Sequence, residues 1–167
     1  MGLEFANRKN DEQLRIGIVS TRWNEQYVQA MLSQTLETLS EQGIAKEDIV
    51  RMQVAGAYEV PMAARFMAAS QKVDAVICLG ILIKGETDHY EYIASAVSGG
   101  LMDLQLTLQI PMVFGVLCCR TEQQVQDRTT GDKAHASDYA KTAIEMAQLR
   151  KSQIGGMSGG KKSVGFF

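Results

Sequence analysis

Val73-Asp74-Ala75-Val76-Ile77-Cys78-Leu79-Gly80-Ile81-Leu82-Ile83-Lys84-Gly85-Glu86-Thr87-Asp88-His89-Tyr90-Glu91-Tyr92-Ile93 is the stretch on which the fold turns. Residues 73–79 are almost wholly apolar, as a strand buried on both faces requires. From Tyr90 onward, apolar side chains recur at Ile93, Val97, Leu101, Leu104 and Leu108, on one face of a helix. The order is therefore strand, a glycine-punctuated loop from Gly80, and helix. The loop carries Lys84, Glu86, Thr87 and His89 to a helix N-terminus, at the end of the strand where open α/β sheets bind ligands.

Gly80 and Gly85 have the glycine spacing of a triphosphate-cradling loop, and Thr87 stands at its end, but Glu86 replaces the lysine that pattern needs. A carboxylate there repels a triphosphate. Two readings of Thr87 stay open: it is the helix N-cap, or it helps backbone N–H groups hold one smaller phosphate.

On either side of this unit the same alternation continues. Strands are expected at residues 15–20, 49–54 and 112–117. Helices follow Asn24, which is placed to be an N-cap, and Pro61, which is tolerated only in a first turn. Thr121 with Gln124 matches a capping box before a short helix through Arg128, and Gly131 separates it from a last amphipathic helix starting near Ser137. Strands alternating with helices predict an α/β three-layer sandwich, with a four-stranded parallel flavodoxin-like sheet and helices on both faces. Residues 1–14 are expected to form a flexible arm, residues 15–150 a single domain, and residues 151–167, rich in Gly, Ser and Lys, a disordered tail.

Composition narrows the function. A chain of 167 residues fits one domain with its own core, and a formal charge of −2 offers no basic face for nucleic acid. No apolar run approaches a membrane span, and the polar N-terminus lacks a signal-peptide core. The three cysteines lack metal spacing and read as reduced thiols of a cytoplasmic protein, or of an organelle if a transit segment has been removed. No Gly-x-Gly-x-x-Gly follows the first strand, and no His-Glu-x-x-His or nucleophile elbow occurs, so neither a dinucleotide cofactor nor a metal is expected.

The strand ends gather Trp23, then Ala57-Tyr58-Glu59, then residues 84–89, then residues 119–128. Trp23, in a loop, offers a face for stacking a heterocycle, or is simply packed. Glu59 could accept hydrogen bonds from a polyol, or stabilise a helix dipole. His89 suits proton transfer near neutrality. Arg128 offers a fork for phosphate, or partners the C-terminus of its own helix. His135 reads as structural. This inventory lacks a covalent nucleophile and suits a condensation whose substrates carry their own amine and carbonyl.

Four ordered blocks resemble the lumazine synthases: Arg22-Trp23-Asn24; Gly56-Ala57-Tyr58-Glu59-Val60-Pro61; Gly80 through Tyr92; and Ala143-Ile144-Glu145-Met146-Ala147. The resemblance covers roughly residues 15–149. The tryptophan and the Ile83-Lys84-Gly85 run are similar to fungal members. It implies condensation of 5-amino-6-ribitylaminouracil with 3,4-dihydroxy-2-butanone 4-phosphate to 6,7-dimethyl-8-ribityllumazine, without a cofactor. It further implies that Trp23 stacks on the pyrimidine, that Ala57, Tyr58 and Glu59 line a ribityl pocket, and that Leu82 and Ile83 present backbone to the uracil edge. Glu86 and Thr87 would contribute to the phosphate site, with His89 the proton shuttle. Family sites lie between subunits of a homopentamer, so Phe114 and the phosphate-binding Arg128 would come from the neighbour. Thr129-Thr130-Gly131-Asp132-Lys133 departs from the family's usual turn, leaving Lys133 as a candidate for the lysine that borders the substrate, and implies isolated pentamers or a modest multiple rather than a closed shell. The rival readings are a non-catalytic flavin- or lumazine-binding protein on the same scaffold, a related riboflavin synthase, and an inactive shell protein.

Overall fold

The computed structural model describes residues 13–158. Its strands are β1 (Ile16–Thr21), β2 (Ile49–Val54), β3 (Ala75–Ile83) and β4 (Met112–Cys119). Its helices are α1 (Glu25–Glu41), α2 (Val60–Ser70), α3 (His89–Leu108), α4 (Glu122–Thr129) and α5 (Ala136–Ser158). Neighbouring strands all run parallel in the order β2-β1-β3-β4, as in the expected flavodoxin-like sandwich.

Successive residues of a strand point to opposite faces, so the continuous apolar runs of β1 and β3 feed two cores. On one side, Ile16, Ile18, Ile77 and Leu79 meet Val28, Met31 and Leu39 of α1 and Ala140, Ala143 and Ala147 of α5. On the other, Val19, Val76, Cys78 and Val116 meet Val60, Ala64 and Met67 of α2 and Val97 and Leu101 of α3. Backbone itself crowds Gly115, where an added Cβ would lie 2.8 Å from the Cys78 carbonyl oxygen and 3.0 Å from the Tyr139 ring. Gly115→Ala should therefore cost about 1–3 kcal/mol through overpacking. Urea unfolding would show this as a lower midpoint at constant slope; an unchanged midpoint would mean that the sheet yields at this point.

Three boundaries differ from the sequence expectation. β3 continues through Gly80 to Ile83, because β4 runs on to Cys119 and pairs with it as far as Ile83↔Cys119. Gly80 thus lies inside a strand, so the likeness to a triphosphate loop is one of spacing only. Leu14, assigned to the arm, is buried in the core beneath α1 and α5; residues 1–12 of that arm lie outside the described residues. α5 passes residue 150 and ends at Ser158. Arg150 and Lys151 approach Asp74 at 3.8 and 3.6 Å, and Lys151 Nζ donates to the Gln13 carbonyl at 2.6 Å. A helix anchored in this way propagates through residues of poor propensity, since each adds a bond to an existing nucleus. Residues 159–167 of the expected tail lie outside the described residues.

Candidate active site

β1 stops at Thr21, and the next two amides turn towards the end of β2. The Arg22 N–H donates to the Val54 carbonyl at 2.9 Å and the Trp23 N–H to the Ala55 carbonyl at 3.1 Å. This turn carries the indole of Trp23 out over the carboxyl edge of the sheet, where it is 72% exposed. An exposed aromatic face beside a cleft is a stacking platform. Opposite β2, a single 3-10 turn, Ala57–Glu59, leads into α2 with Pro61 in the first turn. One oxygen of Glu59 accepts from the Gly56 N–H at 2.9 Å, which fixes the carboxylate and leaves its other oxygen free. A Cβ at Gly56 would sit 3.3 Å from both the Trp23 ring and that carboxylate, so a larger residue would have to shift one of them.

β3 supplies the floor. It pairs with β1 only to Leu79 but with β4 to Ile83. In a parallel ladder, successive residues turn their N–H and C=O groups to opposite neighbours. Val76 and Lys84 donate to Pro111 and Cys119, so even-numbered residues of β3 face β4, and the backbone of Leu82 belongs to that ladder. Ile81 and Ile83 face the side where β1 has ended. The Asn24 side-chain amide donates to the Ile81 carbonyl at 3.3 Å, so the backbone of Ile83 is the open edge. Of the two residues expected to present backbone, Ile83 is therefore the one so placed, while Leu82 contributes to the wall.

These elements enclose a cleft of about 990 Å³, enough for a drug-sized ligand, lined by Trp23, Ala57, Tyr58, Glu59, Leu82, Ile83 and His89 among others. His89 opens α3, with its N–H donating to the Thr87 hydroxyl at 3.4 Å, but the N-cap position is that of Asp88 and not of Thr87. Glu86 and Thr87 are exposed on the loop of residues 84–88, whose base is held by the Lys84 N–H on the Cys119 carbonyl and by the Lys84–Glu91 ion pair. The Lys84 ammonium holds the Glu91 carboxyl below its ordinary range.

Five expected site residues are not among those lining this cleft: Glu86 and Thr87, on that loop, and Phe114, Arg128 and Lys133. Phe114 is 41% exposed on the edge strand β4. Arg128 lies on α4, its Nη1 donating to the Gln124 carbonyl at 3.2 Å in the helix-end role open to it. Lys133 is exposed beyond α4. No Lys or Arg is among the cleft's lining residues. Conversely, Tyr92, Ile93 and Ala96 line it without having been singled out. Their spacing from His89 on one helical face was the available signal. Asn24 stands at the N-cap of α1, but its side chain makes no cap bond and instead reaches β3.

The thiols take no part in this cleft. Cys78, wholly buried, is pushed up to about 12. Cys118 is exposed and Cys119 buried on opposite faces of β4, and neither is bridged. Burial first, then the neighbouring Cys119, raises Cys118 above the usual thiol range. A raised value means less thiolate at a given pH, so native alkylation by iodoacetamide should begin at Cys118 and run slower than a free thiol at pH 8.5. The rate should keep climbing at higher pH; peptide mapping that finds Cys78 labelled first would contradict this burial. Among the described residues, no cluster of His, Cys, Asp and Glu could hold a metal, and no helix is long and apolar enough to cross a membrane.

Comparison with known proteins gives the family. The sequence profile of 6,7-dimethyl-8-ribityllumazine synthase matches residues 13–151. A protein of Protochlamydia amoebophila (strain UWE25) named 6,7-dimethyl-8-ribityllumazine synthase is 37% identical over 149 residues, covering 87% of this chain and 86% of its own. On the profile and this identity, the chain belongs to the 6,7-dimethyl-8-ribityllumazine synthase family.

Proposed function

We propose that the cleft condenses 5-amino-6-ribitylaminouracil with 3,4-dihydroxy-2-butanone 4-phosphate to give 6,7-dimethyl-8-ribityllumazine. The observation that carries this reading is the convergence of Trp23, the fixed carboxylate of Glu59, the open backbone of Ile83 and His89 in one cleft. Each answers one part of a ribityl-bearing pyrimidine. The indole stacks on the ring, Ile83 bonds its amide edge, and Ala57, Tyr58 and Glu59 receive the polyol. The substrate amine attacks the butanone carbonyl, and loss of water gives an imine. Phosphate then leaves, and the second amine closes the ring with loss of another water. His89 moves protons in these steps, and the site otherwise works by orientation.

The departing phosphate needs a cation that the lining residues do not supply. A neighbouring copy bringing Arg128 and Phe114 to the cleft would provide it, with Lys133 at the border and Glu86 and Thr87 on the near side. Exposed apolar side chains favour such an assembly: Met62 and Phe66 lie one turn apart on α2, and Met102 and Leu106 likewise on α3. A pentamer with shared sites, in a reducing compartment such as the cytoplasm, fits both the patches and the free thiols. The test mixes purified protein with both substrates, omitting each in turn, and follows the lumazine optically. Product that requires both supports the reading. Binding of a lumazine analogue without turnover would favour a non-catalytic binder, and turnover of lumazine alone a riboflavin synthase.

A further inference from the structure

Asn24 is the residue of this cleft whose form the proposed chemistry leaves unexplained. Its backbone is left-handed, with φ 58° and ψ 39°, a conformation that few residues other than glycine adopt and that asparagine tolerates. Its side chain does not cap α1, although it stands at the N-cap. Instead it reaches 57 residues along the chain to the Ile81 carbonyl. The geometry explains why a donor is needed there. Ile81 faces the side of β1, so a continuing β1 would offer the Trp23 N–H to that carbonyl. That N–H is turned to Ala55 at 3.1 Å, and the Asn24 amide stands in for it.

The geometry points to Asn24 as a positioning residue for the pyrimidine substrate, a role that rests on the proposed reading of the cleft. Its left-handed corner and its bond to β3 set the pitch of the Trp23 indole against the strand. By closing the Ile81 carbonyl, it also leaves Ile83 as the first open backbone position on that edge. Stacking platform and hydrogen-bonding edge are thereby held at a fixed offset by one side chain. The phosphate corner, on the loop of residues 84–88, is not tied to Asn24.

Two substitutions test this in the full-length chain. Asn24→Asp keeps size and turn preference but offers no amide donor, and Asn24→Gly frees the backbone while removing the side chain. Both should raise KM for the ribitylaminopyrimidine about three- to tenfold, the loss of one hydrogen bond, and leave kcat and KM for the butanone phosphate within about twofold. Trp23 is the one tryptophan of the chain, so its fluorescence anisotropy decay should show a larger fast component in both variants. Unchanged KM values, or both KM values and kcat worsening together, would overturn the assignment, as would a Trp23 decay matching wild type. The decay needs no turnover. A wild type that forms no product would sink the reading of the cleft, while the decay would still decide whether Asn24 holds Trp23.

Discussion

Arg128→Ala should lower kcat/KM by about 10–100-fold, the range for removing a charge-assisted hydrogen bond from a bound anion. The loss should fall mainly on KM for the butanone phosphate. The grounds are electrostatic. The cleft is lined by the carboxylate of Glu59 and by His89 but by no lysine or arginine, while one substrate carries a phosphate. The Lys84 ammonium, on the nearby loop, is already committed to Glu91. A guanidinium fork matches phosphate geometry in a way an ammonium does not, so Arg128→Lys should recover only part of the loss. Steady-state kinetics with each substrate varied separately decides the matter; a defect confined to the pyrimidine would place Arg128 elsewhere.

His89→Ala should act on the other kinetic parameter. A positioned general acid–base group contributes typically 10²–10⁴-fold, but here the substrates' own amine and carbonyl react without a covalent enzyme intermediate. The expected loss is therefore at the low end, about 10²-fold in kcat, with both KM values changed little. The residue sits at the first turn of α3, where truncation removes no core contact, and the melting temperature should hold. A variant with wild-type kcat would show that solvent moves the protons.

Much of this was legible in the residues. The apolar run of β3, the helical spacing after Tyr90 and the punctuation by Pro61 and Gly131 defined the elements. Their alternation defined the sheet. What local pattern could not give was anything dependent on a partner strand. β3 reaches Ile83 because β4 reaches Cys119, and Ile83 rather than Leu82 offers its backbone because β1 ends early. α5 outlasts its composition because Asp74, Gln13 and Gln109 anchor Arg150 and Lys151 across the sheet's lower edge. Asn24 is the same lesson at one residue. Asparagine before a helix reads as a cap, and only the fold shows an unpaired carbonyl within its reach. Phe114, Arg128 and Lys133 lie outside the cleft of their own chain, so no single-chain pattern places them in it.

A site built by two copies of the chain is tested most directly by subunit mixing. His89→Ala and Arg128→Ala proteins would be dissociated, mixed in equal amounts, reassembled and assayed with the butanone phosphate well below its wild-type KM, where each variant alone is impaired. If His89 and Arg128 serve a site from different subunits, random mixing gives some interfaces with both intact residues, and activity should return to about one quarter of wild type. If both residues served one cleft from the same chain, no mixture would contain a complete site. Activity no higher than the sum of the two variants, in rings shown to contain both, would contradict the shared site.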